Sequence, residues 1–339
     1  MTMTTSMHDA VSVRGWRTEF ERTSLGRAQC ARVDAAKRFS SAAQLSAAAN
    51  ADDEAALPHG SSQIMTVDGV RVAYLAMGSG DVVALLHCSG SSAAQWGELT
   101  TLLNNRFALI APDQFGCGGT GAWTGRQPLR MADHARLAAE VIRRQGRPVH
   151  LVGHSFGGAV ALRLALDHPD LLRSLTLIEP VAFQLLREGG AEDASYFAEI
   201  RGLAGAVFES TLNGHGHAGM HRFVDYWNGD GAWARLPAAT QDRLAAQVGS
   251  IAANFSCVFA DGTRAADYGR IVVPTLMLRG SESPRSVARV ADRVAAALPH
   301  AEQRTIAGAG HMLPLTHAAI VAAAVTEHCE ACGAATIAA

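Results

Sequence analysis

Residues 149–162 read VHLVGHSFGGAVAL. A strand-like run ends at a glycine, a lone serine follows, and a helix-like run begins behind two more glycines. Glycines beside the serine permit a turn so tight that ordinary side chains would collide there. Strand, G-x-S-x-G, helix is the arrangement of a nucleophile elbow, met by Gly153, His154, Ser155, Phe156 and Gly157. Such a corner holds the serine at the carboxyl edge of a sheet, above the first turn of the next helix. That helix end offers an N–H and a partial positive charge to a developing oxyanion. A hydroxyl is a poor nucleophile at neutral pH, so the chemistry also calls for a general base and an acid to orient it. An ordinary turn with a surface serine is the bland alternative, and the flanking strand and helix signals weigh against it.

The elements that would position this serine can be read on either side. QIMTVDGVRVAYLAMG alternates about Asp68-Gly69, a β-hairpin signal. Short apolar runs then alternate with helix-length segments. Strands are expected at 82–87, 107–112, 149–153, 174–180, 273–280 and 301–308. Helices are expected near 93–104, 129–145, 156–168, 285–297 and 315–330. Strands that are apolar throughout and separated by helices imply an α/β fold with a mostly parallel sheet covered on both faces. The span 181–270 is too long for a simple crossover and carries its own helical pattern, so it is read as an inserted helical cap. Residues 1–62 read as an appended arm and linker, partly disordered, with a weak alanine-faced helix pattern at 31–50. The remaining core is assigned to 63–180 and 271–332.

Composition narrows the classes. The chain has 339 residues, 48% hydrophobic and 18% charged, a globular balance. A formal net charge of −2 gives no general reason to expect nucleic acid or an anionic membrane as partner. Of 29 basic residues all but Lys37 are arginine, which looks like codon composition. Six cysteines show no framework spacing, and Cys329 and Cys332 form a C-x-x-C with no second pair to complete a zinc site. They read as surface or helix thiols. With no apolar run long enough to span a bilayer and no secretory signal pattern, a cytoplasmic protein with reduced thiols is expected. Self-association into a homo-oligomer is left open.

From about residue 63 to 330 the chain resembles the α/β-hydrolase fold family. In that family a second oxyanion donor follows the third strand, and the matching stretch here is LLHCSGSSAAQW. The resemblance therefore implies an oxyanion hole from the backbone N–H groups of Ser89 and Phe156. Cys88 stands where glycine is usual, and His87 reads as a support of that loop. Asp113, Gly116, Gly118 and Thr120 match the family's turn after the next strand and are assigned to architecture. The family's base lies after the last strand, which here is AGAGHMLPLTH and points to His311. His317 is expected in the following helix, facing solvent, and His154 is expected to point away from the site.

The acid is the informative departure. The family usually carries it after strand seven, where this chain reads Gly280-Ser281-Glu282-Ser283-Pro284, with Ser283 at the usual position. One strand earlier Glu179 closes the run LTLIEPVAF, a place some members use. A carboxylate ending a buried apolar strand is costly unless paired, which favours Glu179. Glu282 remains the alternative acid. The order Ser155, Glu179, His311 keeps nucleophile, acid and base in the family's sequence.

A serine nucleophile argues against the family's aspartate-dependent dehalogenase and epoxide hydrolase chemistry, which needs a carboxylate to form an alkyl ester. What remains is a serine esterase acting on a small carboxylic ester or lactone with an apolar part. Carbon–carbon bond hydrolysis, acyl transfer by the same fold, or a non-catalytic ligand-binding role are the alternatives. Trp227 and Trp233 in the cap, beside Phe223 and Tyr226, and Trp96 after the oxyanion loop are the candidate substrate-pocket residues. No metal or organic cofactor is implied.

Overall fold

The computed structural model of the chain describes residues 60–337. The expected arm therefore lies outside the described residues up to position 59, as does the helix pattern at 31–50. Its last two residues belong to the sheet, because the first strand begins at Ser61 rather than at residue 63.

Eight strands form one sheet: β1 Ser61–Val67, β2 Val70–Met77, β3 Asp81–Leu86, β4 Phe107–Pro112, β5 Val149–His154, β6 Leu172–Ile178, β7 Thr275–Gly280 and β8 Ala301–Ile306. Their spatial order is β1-β2-β4-β3-β5-β6-β7-β8. β1 and β2 are antiparallel and β2 meets β4 antiparallel, while every other pairing is parallel. The hairpin turns on Asp68 and Gly69 at φ 48° and 80°, the paired positive values that match the twist of the flanking strands. All six residues of β5 are buried, as expected of a central strand covered on both faces. β8 is an edge, and its exposed Glu302 and Gln303 mark it as one that discourages further pairing.

The helices are α1 Gly97–Leu103, α2 Met131–Arg143, α3 Phe156–Asp167, α4 Ala191–Leu212, α5 Gly216–Asn228, α6 Ala238–Ala246, α7 Val248–Ala260, α8 Ala265–Tyr268, α9 Arg285–Ala297, α10 Leu313–Thr316 and α11 Ala318–Ile337. Two apolar clusters sandwich the sheet. One joins α2, α3 and α9 to the helices between β6 and β7. The other joins α1 and α11 to the strands through Trp96, Leu99, Val321 and Val325. Between β6 and β7 the chain is helical, from α4 to α8. Asp193 anchors them: its buried carboxylate accepts from Arg289 Nε at 2.5 Å and Arg293 Nη1 at 2.6 Å on α9. The Arg289 hydrogen bond is the main reason its carboxyl stays below the usual carboxylate range.

Cys329 and Cys332 lie on α11 and are buried and outside any disulfide, so they are helix thiols but not surface ones. His317 precedes α11 and is half-buried, its Nδ1 2.8 Å from the Thr316 hydroxyl, which corrects the solvent-facing helical position expected for it.

Candidate active site

The sheet register brings the nucleophile and acid candidates together. His154 pairs with Ile178 at the ends of β5 and β6, so Ser155 and Glu179 are the next residues on adjacent strands. Both leave the sheet through left-handed backbone, Ser155 at φ 56° and Glu179 at φ 45°. Such values are costly for residues with a Cβ and persist only where the surroundings hold them. Here the Ser155 N–H donates to Ile178 O at 2.9 Å, the Glu179 N–H to Leu278 O at 3.1 Å, and the Val181 N–H to Ser155 O at 3.2 Å. The glycines of the motif are required by contact: a Cβ on Gly157 would stand 2.1 Å from Leu86 O, and one on Gly153 2.4 Å from Gly157 O.

His311, in the loop after β8, closes the set. Its Nε2 is 2.9 Å from Ser155 Oγ and its Nδ1 is 2.7 Å from Glu179 Oε2. With Nδ1–H donating to the carboxylate, Nε2 carries the lone pair that faces the serine hydroxyl. Ser155, Glu179 and His311 are all buried, at 6%, 0% and 3% exposure, so their mutual interactions are little screened by water. Glu179 Oε1 also accepts from the Gly280 N–H at 2.7 Å and the Ser283 hydroxyl at 2.5 Å. The residue at the family's usual acid position thus serves the carboxylate that stands one strand away. Glu282 is exposed, and its carboxylate accepts from the Ser281 hydroxyl at 3.4 Å rather than from His311.

Around the elbow, Ser89 and Phe156 line the same cleft as Ser155. Phe156 opens α3, so its N–H is one of the first-turn donors without an intrahelical acceptor. The Ser89 hydroxyl accepts from Asn254 Nδ2 at 3.0 Å. The loop ahead of Ser89 is braced by neighbours. Gln114 donates its backbone N–H to His87 Nε2 at 3.0 Å and its side-chain amide to His87 O at 2.6 Å. Asp113 accepts from the Ala93 N–H at 2.7 Å and the Gly119 N–H at 2.8 Å, in keeping with an architectural role. Burial pushes the Cys88 thiol up to about 12, so it offers no competing thiolate at neutral pH.

His154 does turn away from Ser155, but it lands on the backbone of His311, the candidate base. Its Nε2 donates to His311 O at 2.9 Å and its Nδ1 accepts from Gln95 Nε2 at 3.0 Å. Gln95 Oε1 in turn accepts the Cys88 N–H at 2.9 Å, so one side chain ties the candidate oxyanion loop to the His311 loop. Burial, and then the nearness of His311, hold His154 well below the ordinary histidine range and therefore neutral. Sequence reading missed Gln95, Asn254 and the part played by Ser283. The first two carry no motif, and His154 and Ser89, which they reach, are distant in the chain.

The cleft beside Ser155 takes in about 280 Å³ of space, open solvent at its mouth included, and its apolar walls include Val181, Phe183, Phe223, Trp227, Phe255 and Val258. A second hollow of about 700 Å³ adjoins it through Ser89 and Phe223 and is edged by Met220, Ile251 and Met312. Of the three tryptophans expected in the pocket, Trp227 lines the cleft. Trp96 does not: it is wholly buried in the cluster on the opposite side of the sheet, edge-on to His154 at 6.5 Å. Trp233 does not either: its indole packs against His217 and His221, and its backbone N–H donates to Asp225 Oδ1 at 2.7 Å. Among the described residues no group of three or more His, Cys, Asp or Glu could hold a metal ion, and no helix is long and apolar enough to cross a membrane.

Residues 81–318 match the alpha/beta hydrolase fold family. A fluoroacetate dehalogenase from a Burkholderia species is 28% identical over 135 residues, covering 37% of this chain and 43% of that protein. The match thus spans less than half of that relative's length. An epoxide hydrolase, CorEH without ligand, is similar with a TM-score of 0.66 at 20% identity, over 80% of this chain and 98% of that one. An N-acyl homoserine lactone degrading enzyme gives a TM-score of 0.61 at 21% identity, over 78% of this chain and 99% of that one. At such identities these structures speak for the fold alone.

Proposed function

The chain belongs to the alpha/beta hydrolase fold family, and from that premise we propose that it is a serine hydrolase of small carboxylic esters or lactones with an apolar part. The roles are Ser155 as nucleophile, His311 as base and Glu179 as the acid that orients it, with Ser89 and Phe156 as oxyanion donors. Ser155 Oγ attacks the ester carbonyl carbon while His311 Nε2 takes its proton. The carbonyl oxygen becomes the oxyanion, held by the two backbone N–H groups. On collapse the alcohol leaves with the proton from His311, and water then repeats the sequence on the acyl-serine. Residues 181–270 act as a cap whose aromatic side chains receive the apolar part of the substrate.

One observation carries the reading: a serine hydroxyl 2.9 Å from an imidazole whose far nitrogen is held by a buried carboxylate. The small apolar cleft supports the substrate class. Dehalogenase and epoxide hydrolase activities, which appear among the relatives, are disfavoured by serine at the elbow. The test is hydrolysis of p-nitrophenyl butyrate followed by stopped flow. A burst of p-nitrophenolate is expected, lost in Ser155→Ala, with a fluorophosphonate labelling Ser155 alone. An undiminished burst in Ser155→Ala, or labelling elsewhere, overturns the proposal.

A further inference from the structure

The imidazole of His311 has both nitrogens engaged, one with Glu179 and one with Ser155. Only its two faces remain for other contacts. Against one lies the indole of Trp227, with ring centroids 4.1 Å apart and planes 25° from parallel. Trp227 is on α5, among the helices over the site, and is 7% exposed. The indole is itself clamped, stacked on Phe183 at 6.4 Å and met edge-on by Phe223 at 5.9 Å and Tyr226 at 4.9 Å. Tyr226 fixes the register of this helix from both sides. Its hydroxyl donates to Glu199 on α4 at 2.5 Å and accepts from Ser286 on α9 at 2.5 Å.

We infer that Trp227 is a positioning residue for the base: its π-face holds His311 between Ser155 and Glu179 and attracts the imidazolium that forms when Ser155 gives up its proton. The inference rests on the serine-hydrolase reading above. An aromatic face carries negative charge density, and tryptophan is the strongest of the aromatic cation partners. Neutral imidazole gains less from that face than imidazolium does. The contact is therefore stronger at the transition state than in the resting enzyme, which raises the rate of acylation rather than the affinity for substrate. The groups that face the ring leave this charge unopposed. From β6 comes the Glu179 carboxylate, and from β5 comes His154, kept neutral with its centroid 5.1 Å away. Behind the indole, in contact with Trp227 rather than His311, Tyr226 is held above its ordinary range by burial and Glu199 and so stays uncharged. The helices over the cleft thereby supply part of the base, not only the walls around a substrate.

The test is the pH dependence of single-turnover acylation by a p-nitrophenyl ester. Trp227→Leu is expected to slow the plateau rate roughly 3- to 30-fold, with Trp227→Phe between it and the parent. The acid limb, set by protonation of the base, is expected to move to lower pH by roughly 0.5 to 1.5 units in Trp227→Leu. A role in packing alone gives the opposite sign, because water admitted to a buried imidazole favours its charged form. Site-specific replacement of Trp227 by mono-, di- and trifluorotryptophan keeps the shape and weakens the π-face stepwise, so it reads the effect even if Trp227→Leu misfolds. A stepwise fall in rate supports the inference; rates and acid limbs unchanged across the fluorinated series overturn it. Failure of the hydrolase reading itself would show separately, as a burst surviving in Ser155→Ala.

Discussion

Replacing Glu179 by glutamine is the sharpest probe of the arrangement, because the carboxylate's three hydrogen bonds pull its two oxygens in different directions. Oε1 accepts from the Gly280 N–H and the Ser283 hydroxyl, and Oε2 accepts from His311. A glutamine has one oxygen to offer. Turned toward Gly280 and Ser283, it presents its NH₂ to His311 Nδ1, which must then become an acceptor. The imidazole proton moves to Nε2, and that nitrogen can no longer take the proton of Ser155. Turned the other way, the glutamine keeps His311 correct but leaves the buried Gly280 N–H facing a donor, a cost of about 1–3 kcal/mol in stability. Two donors against one, with histidine free to change tautomer, favour the first orientation. The expected result is a fall in kcat of about 10³- to 10⁴-fold, the scale of a wrong-tautomer defect in a serine triad. That corresponds to about 4–5.5 kcal/mol of transition-state stabilisation. The assay is p-nitrophenyl butyrate turnover beside a thermal melt within a few degrees of the parent. Adding Ser283→Asp to this variant returns a carboxylate to the same hydrogen-bonding neighbourhood and should recover part of the rate. Exposed Glu282 serves as control, and Glu282→Gln should leave turnover unchanged. A kcat for Glu179→Gln within about tenfold of the parent, with the melt intact, would refute the tautomer argument.

Two further expectations concern stability. A Cβ on Gly157 would meet Leu86 O at 2.1 Å and His87 O at 2.6 Å, both backbone atoms, so Gly157→Ala should cost about 3 kcal/mol or more in denaturant unfolding. Gly202→Ala, on α4 with open space at its Cβ, should instead gain about 0.5–1 kcal/mol, and equal effects at the two sites would contradict the steric reading. Burial pushes His134 down to about 3 and holds His154 well below the ordinary histidine range. Both are neutral in the fold and protonate on unfolding, so their contribution is complete above pH about 6.5 and is lost as pH falls below it. From pH 7 to 5.5 each should cost about 1.2 kcal/mol, read as a drop in the guanidinium midpoint that His134→Leu partly flattens. A midpoint that rises or stays level over that range would contradict this.

Most of the scaffold was readable in the residues. Parallel strands such as VVALL and FALIAP are apolar throughout, and the strict pairing of Asp68-Gly69 with alternation on both sides defines a hairpin. The elbow was equally legible, since its glycines are demanded by contacts within a few residues or with the adjoining strand. Glu179 stood out because a carboxylate at the end of a buried strand needs a partner. Gln95 and Asn254 did not, because what they touch is set by tertiary packing that leaves no local pattern. The tryptophans show the same limit. Trp96 and Trp233 share Trp227's chemistry, yet one faces the far side of the sheet and the other the interior of the helical layer. Composition tells that an aromatic will be buried; which side of a sheet it faces depends on the turn of a short helix.

The seat of Glu179 at the end of β6 has a consequence for how the molecule can change over generations. Ser155 and Glu179 extend neighbouring strands, so the gap between them is governed by the spacing of about 4.8 Å between hydrogen-bonded chains. An acid borne on the β7–α9 loop would answer to that loop's length and composition. Here the loop is asked for a hydroxyl at 283, the backbone N–H coming from Gly280 at the end of β7, a lighter burden than a charge. Insertions there, and in the helices between β6 and β7, can accumulate while Ser155 and Glu179 stay in step, like two teeth cut on one comb.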